Sequence, residues 1–268
     1  RLKPMNPLDG LKVLDLTLLL PGAVCTMLLA DMGATVIKIE DPHGGDYARW
    51  MPPHIDGSSV FFRMNNRAKR SLVLDLKTAE GVAVLKRLAR DADVLIESFR
   101  PGVMARLGVD YETLKADNPR LIYCALSGWG SDGPWASVSG HDLNYATAAG
   151  LVGAMQTPQP LGGQVADIGG ALAAVAAINA ALLRRERGGG GAFIDIGLAE
   201  AGLPFALYNW VEALSLGLGG GMGGLSGGLA CYRVYRARDN QAVALAALEE
   251  KFWANFCNAI GRADLIEH

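Results

Sequence analysis

The chain has 268 residues, half of them hydrophobic and 19% charged, with a formal charge of −2. That length can bury a sizeable core, as one large domain or two smaller ones, and that composition excludes a disordered chain. The near-neutral balance leaves no footprint for nucleic acid or for an anionic membrane surface, so any polyanionic ligand must meet a local basic cluster.

Residues 12–16 form a short apolar run behind the Leu8-Asp9-Gly10 turn and predict a buried strand. Pro21-Gly22 reads as its break, followed by a helix over residues 23–32 that ends at Gly33. Residues 35–40 are a second, β-branched strand, and the β-α-β unit so formed predicts a parallel sheet with helices packed on it. Gly22 belongs to neither a G-x-G-x-x-G fingerprint nor a Walker loop, so neither a dinucleotide nor a nucleoside triphosphate is indicated. Residues 41–59 read as a loop in which His43 and His54 are solvated.

Residues 65–71 are a basic turn before a strand over residues 72–76. An amphipathic helix is expected over residues 78–92, with Thr78 as N-cap, Glu80 near its positive end and Lys86, Arg87 and Arg90 near its negative end. Residues 93–97 are the next strand, running into Ser98-Phe99-Arg100-Pro101-Gly102 and a helix that holds Met104 and Arg106. Loops at the carboxyl ends of parallel strands are where such sheets bind ligands. Arg67, Lys69, Arg70, Arg100 and Arg106 therefore make a candidate anion cradle, although each taken singly also reads as a solvated surface charge.

A strand over residues 121–126 leads into the segment that organises the chain, residues 127–170. It contains Ser127-Gly128-Trp129-Gly130, then Gly140-His141-Asp142-Leu143-Asn144-Tyr145, then Asp167-Ile168-Gly169-Gly170. His141 is one of four histidines, Asp167 stands at the mouth of an alanine-rich helix, and the small residues around both leave room for a ligand. Read alone, His141 could equally be a solvated residue ahead of a helix capped by Asp142, and Asp167 no more than an N-cap. The apolar run over residues 168–183 is shorter than the roughly 20 residues a bilayer requires, so a buried core helix is expected. A strand over residues 193–196 and a largely helical stretch over 199–214 follow, with Asp195 and Glu200 as structural acids that nothing pairs.

The composition then shifts to glycine, and residues 216–230 read as a linker between a large domain (1–215) and the first part of a small α+β one (231–268). In the small domain a hairpin is expected from residues 231–234 and 242–246, then a helix over 251–260. Cys25, Cys124, Cys231 and Cys257 are far apart, without metal-ligand spacing, and read as buried free thiols of a cytoplasmic protein, with a pair of disulfides as the alternative. Residues 1–10 are polar and run into a strand, which is not the pattern of a signal peptide.

Several ordered motifs resemble a known family. Leu11-Lys12-Val13-Leu14-Asp15-Leu16, Gly33-Ala34-Thr35-Val36-Ile37-Lys38-Ile39-Glu40, Lys69-Arg70-Ser71-Leu72, Arg100-Pro101-Gly102, Asn118-Pro119-Arg120-Leu121-Ile122, Ser127-Gly128-Trp129-Gly130 and Gly140-His141-Asp142 look like the class III coenzyme A transferases, the CaiB/BaiF family. Gly-His-Asp-x-Asn-Tyr and Leu248-Glu249-Glu250-Lys251-Phe252 are most similar, within it, to the α-methylacyl-CoA racemases. The resemblance implies a Rossmann-like large domain, a smaller domain after the glycine run, and an interlocked homodimer whose active site lies between the large domain of one subunit and the small domain of the other. Family members are longer, and the segment by which they return to the large domain is not in this sequence; Asp41 also stands where some relatives carry an arginine for the nucleotide.

The residues suit that chemistry. Epimerising a 2-methylacyl thioester takes one base on each face of the α-carbon, and the α-proton is far less acidic than an imidazolium of pKa about 6.5 or a carboxylic acid of pKa about 4, so the enolate needs stabilisation. His141 and Asp167 are the expected bases, Glu249 is expected to orient His141, and backbone N–H groups near residues 167–169 are expected to receive the thioester oxygen. The substrate's handle would be coenzyme A, with Arg67, Lys69, Arg70, Arg100 and Arg106 for its phosphates, Leu72 and Phe99 for the adenine, and Ser98 and Gly140 beside it. Neither metal nor prosthetic group is implied, and the partners are an acyl-CoA thioester and a second copy of the chain, with no nucleic acid and no membrane. The alternatives are a CoA transferase in which Asp167 is the covalent nucleophile, as the corresponding acid is in family transferases, and an inactive CoA-binding member.

Overall fold

The computed structural model describes residues 6–155, 157–217 and 223–267. The chain opens with β1 (Lys12–Leu16), α1 (Leu19–Asp31) and β2 (Thr35–Glu40). Two short paired strands, β3 (His54–Ile55) and β4 (Ser58–Ser59), and the helix α2 (Val60–Asn65) stand in and after the segment expected to be loop. They are followed by β5 (Arg70–Val73), α3 (Ala79–Arg90), β6 (Val94–Glu97), α4 (Val103–Arg106), α5 (Tyr111–Asp117), β7 (Ile122–Ser127), α6 (Asp142–Ala148), α7 (Val165–Glu186), β8 (Ala192–Gly197), α8 (Leu198–Gly202) and α9 (Leu207–Leu216). The antiparallel pair β9 (Tyr232–Arg236) and β10 (Ala242–Ala246) and the helix α10 (Glu250–Ala259) come last.

The chain forms two compact units, Arg1–Tyr145 with Gly163–Gly202 and Ala146–Gly162 with Leu203–His268. The boundary expected after residue 215 falls inside the second unit, and residues 218–222 of the expected linker lie outside the described residues.

The first unit is an α/β fold. Its sheet has six parallel strands in the order β5-β2-β1-β6-β7-β8. The order steps outward from β1 to β5 and then resumes on the other side of β1 with β6, which is the doubly wound pattern with its crevice between β1 and β6. Both faces are covered, so strand residues are buried on alternating sides. Val13, Ile96 and Cys124 belong to a core cluster with α1 and α7, and Leu14, Leu95 and Tyr123 to one with α3 and α5.

Two expectations about helices change. α1 begins at Leu19, so Pro21 sits inside its first turn, where a missing N–H costs nothing because the first-turn amides have no intrahelical acceptor. The alanine-rich helix α7 has 22 residues, long and apolar enough by length and composition to cross a membrane. Its burial, not its length, marks it as a core helix: Ala171, Ala174, Ile178 and Leu182 all pack in the cluster shared with α1. Thr78 caps α3 as expected, accepting the Gly81 N–H at 3.1 Å.

The end of β1 rests on buried charge. Asp15 is fully buried; it accepts the Thr17 N–H and hydroxyl at 2.9 and 2.6 Å, the Thr26 hydroxyl at 2.6 Å and the Lys69 ammonium at 3.0 Å. Lys69 spends its other donors on the Ala23 carbonyl (3.0 Å) and the Asn66 side chain (2.8 Å). Beside it, buried Lys38 reaches the Thr17 carbonyl at 2.8 Å and Asp46 at 2.9 Å. Asp46 in turn accepts the N–H of Leu19 at 3.1 Å, a residue held at a φ of 59 where an L-residue is strained by roughly 1–2 kcal/mol.

Asp15→Ala would leave the Lys69 ammonium unpaired in the interior, and removal of one partner of such a pair costs about 3–5 kcal/mol. The midpoint of urea unfolding of the first unit should fall accordingly. A midpoint within experimental error of the parent's would mean that the pair carries no such load.

Candidate active site

A cleft of about 360 Å³ opens at the carboxyl ends of β1, β6 and β7, where the strand order reverses. Leu18 and Leu19 leave β1, Ser98 to Pro101 leave β6, and Ser127 to Trp129 leave β7; all line the cleft. The first two segments are tied directly, since the Leu18 N–H donates to Ser98 Oγ at 3.0 Å.

His141 and Asp167 open into this same cleft. His141 immediately precedes α6, its own N–H donating to the Asn144 side chain at 3.0 Å while its carbonyl accepts the Asn144 N–H at 2.8 Å. These reciprocal bonds fix the backbone and leave the imidazole exposed. Asp167 lies in the first turn of α7, half-buried. The two helix starts are joined by Asp142, whose carboxylate accepts the Asp167 N–H at 2.9 Å. Asp142 therefore serves the other helix as well as standing in the first turn of its own.

Burial raises the Asp167 pKa to about 6; the neighbouring Asp142 carboxylate adds to the rise, and His141 opposes it. A carboxyl poised there changes charge within a unit or so of neutrality, where a proton-transfer group works best. The amides of residues 167 and 168 are not available to a thioester oxygen, contrary to expectation: the first is bonded to Asp142 and the second to the Gln164 carbonyl at 3.0 Å. The positive end of α7 is left as its contribution to an anion there.

Tyr145 holds the cleft's loops together. Its hydroxyl donates to the Gly140 carbonyl at 2.6 Å and its ring meets Trp129 edge to face at 5.0 Å. A Cβ at Gly128 or Gly140 would lie 2.4 or 2.7 Å from that ring, so both positions require glycine. Trp129 and Tyr145, which the sequence presents only as parts of motifs, and Ser139, which it does not single out, complete the wall. Asp195, expected to be unpaired, anchors the loop by accepting the Ser131 N–H at 2.8 Å.

The expected anion cradle is dispersed. Lys69 is committed to the interior and cannot serve a phosphate: all three of its hydrogens have acceptors and its side chain is 2% exposed. Arg67 pairs with Asp31. Leu72, Leu74 and Leu76 are all partly buried against one core cluster, but only Leu74 and Leu76, beyond the end of β5, also line a groove. Arg70 and Arg106 are exposed, while Arg100 is at the rim of the cleft, donating to Ser139 Oγ at 2.8 Å. The groove, of about 510 Å³, shares Leu18, Tyr47 and Phe99 with the cleft and is also lined by Lys77 and by His43, the histidine taken as a loop residue. Glu249 belongs to the second unit, at the exposed N-cap position of α10. Among the described residues no group of three or more His, Cys, Asp or Glu is arranged to hold a metal ion.

Comparisons with known proteins agree with this geometry. Residues 8–268 match the family model of CoA-transferase family III. The chain is 43% identical over 205 residues to the succinate–glutarate CoA-transferase of Agrobacterium fabrum, covering 72% of this chain and 51% of the relative. It is 37% identical over 261 residues to the human α-methylacyl-CoA racemase, covering 95% and 65% respectively. The chain thus spans about half to two thirds of the length of these two relatives. The crystal structure of a CaiB/BaiF family protein from Brucella suis superposes with a TM-score of 0.84 at 35% identity, over 98% of this chain and 72% of that one. These identities do not divide racemases from transferases. They do join a doubly wound sheet, its switch-point cleft and a match over nearly the whole sequence into one conclusion: the chain belongs to CoA-transferase family III.

Proposed function

We propose that the cleft holds an acyl-CoA thioester and that His141 and Asp167 exchange its α-proton, making the protein a 2-methylacyl-CoA racemase. The observation that carries this reading is that an exposed imidazole and a half-buried carboxyl of raised pKa line one cleft. One takes the proton from one enantiomer while the other returns it to the opposite face, and the roles reverse for the second enantiomer. The acyl group lies across the cleft. The CoA handle passes Phe99 into the neighbouring groove, with Arg100, Lys77 and His43 toward its phosphates and Phe99 and Tyr47 against its apolar parts. Glu249 is proposed to reach His141 from the small domain of a second copy in an interlocked homodimer.

The second reading, a CoA transferase with Asp167 as nucleophile, draws on the 43% identity to a succinate–glutarate CoA-transferase. Burial that raises the carboxyl's pKa also makes its ionised form a better nucleophile. What speaks for the first reading is His141, for which covalent transfer has no evident use.

Incubation with each enantiomer of a 2-methylacyl-CoA in deuterated water separates the two. The racemase reading expects deuterium at the α-carbon and loss of chirality without any acceptor acid; His141→Ala should abolish exchange from at least one enantiomer and Asp167→Asn from the other. Absence of exchange, with CoA passing to an added carboxylic acid, would replace that reading by the transferase one.

The pH dependence carries a sign. Asp167 must be ionised to take a proton, so for the enantiomer it deprotonates kcat/KM should fall as pH drops through about 6. In Asp167→Glu, which keeps an acid but changes its surroundings, that limb should move. A limb that stays in place would assign it to another group.

A further inference from the structure

One buried carboxyl is unused by this chemistry. Glu97 closes β6, is 7% exposed, and faces a cavity of about 290 Å³ that shares Phe99, Pro101 and Ser127 with the cleft. Its Oε2 accepts the Phe99 N–H at 2.7 Å, and its Oε1 lies 3.4 Å from the Tyr123 hydroxyl. Glu97 pairs in register with the uncharged Leu16 of β1, and Cys124 of β7 lies within its electrostatic reach. Tyr123 is on β7 and Asp195 on β8; Asp110, Tyr111 and Glu112 stand at the start of α5; Met104 and Ala105 of α4 carry no charge. Among the described residues, no Lys, Arg or His lines the cavity. Ser127 Oγ, which also lines it, is buried without a hydrogen-bond partner among the described residues.

The segment that follows Glu97 is the part of the cleft with most to hold. Ser98 Oγ takes the Leu18 N–H, Phe99 lines the cleft, the groove and the cavity, and Arg100 reaches Ser139. We propose that Glu97 is a positioning residue for the cleft: through the Phe99 amide its carboxylate holds residues 98–100 in their ligand-contacting shape. Ionised, both of its oxygens accept; protonated, one becomes a donor, and the grip on Phe99 N–H and Tyr123 O–H weakens. Burial foremost, with the Asp195 carboxylate adding to it, raises the Glu97 pKa to about 7, against the opposing pull of the Phe99 amide and the Tyr123 hydroxyl. The segment is therefore held more firmly above neutrality than below it. The consequence for ligand binding rests on reading the cleft as an acyl-CoA site. If only the ionised form holds the segment, affinity follows the ionised fraction, which for a pKa of about 7 rises about tenfold from pH 6 to pH 8.

The test labels the full chain with ¹⁵N-phenylalanine and follows the Phe99 amide by NMR across that range, alongside acetyl-CoA binding by calorimetry. In the parent the Phe99 resonance should titrate with a midpoint near 7, and acetyl-CoA should bind up to tenfold more tightly at pH 8 than at pH 6. Glu97→Gln keeps an acceptor for Phe99 without the charge, so the resonance should no longer titrate and the step in affinity attributable to Glu97 should vanish. Glu97→Leu, which removes the acceptor as well as the charge, should bind several-fold more weakly than the parent at pH 8 and should also lack the step. A Phe99 resonance that is flat in the parent or titrates equally in Glu97→Gln overturns the proposal, as does parent-like binding by Glu97→Leu. If acetyl-CoA fails to bind the parent at either pH, the acyl-CoA reading falls, and the Phe99 titration alone still decides whether Glu97 anchors the segment.

Discussion

The carboxylate of Asp142 accepting the amide of Asp167 at 2.9 Å is the constraint from which the rest of the site follows. It fastens the start of α6 to the start of α7, and so places the residue before one helix and a residue inside the first turn of the other on a single cleft. It also brings a second negative charge to Asp167, which with burial keeps that carboxyl far less acidic than a solvated one. A like-charge neighbour is a cost in stability; here it is offset by the α7 amide it satisfies and by the positive end of the helix dipole. Structure and reactivity thus share one contact.

Around it the fold separates its charges by task. Asp15, Lys38, Asp46 and Lys69 are buried and paired, and they brace the turn from β1 into α1 that forms one wall of the cleft. Their energy goes into shape, including a left-handed Leu19, and not into ligand binding. Another part of the cleft's wall depends on an aromatic wedge: Tyr145 occupies the space that side chains at Gly128 and Gly140 would need. Glycine at these two positions is therefore a packing requirement, and any contact with a ligand comes in addition.

Much of this was legible in the sequence, and what was not has a common cause. The β-α-β pattern, the Thr78 cap, the late hairpin and the parallel sheet follow from local periodicity and turn chemistry, which the chain obeys element by element. His141 stood out as one of four histidines and Asp167 as an acid at the mouth of an alanine-rich helix, both among small residues and both at positions that the family resemblance covers. Lys69 was misread as a surface cation because its acceptor, Asp15, is 54 positions away, and Asp195 seemed unpaired because Ser131 is 64 positions away. The second role of Asp142 was hidden for the same reason, 25 residues separating it from the amide it holds. Local pattern locates a polar residue; only the folded chain reveals what it is bonded to.

The account has the Asp142 charge adding to burial in raising the proton affinity of Asp167, and a ¹³C NMR titration of the Asp167 carboxyl tests this directly. In the parent chain the midpoint should be about 6. In Asp142→Asn, which can still accept the Asp167 amide but carries no charge, it should move down toward the ordinary carboxylate range. An unchanged midpoint in that variant, with the α6 and α7 starts still joined, would contradict the claim that this contact governs the site.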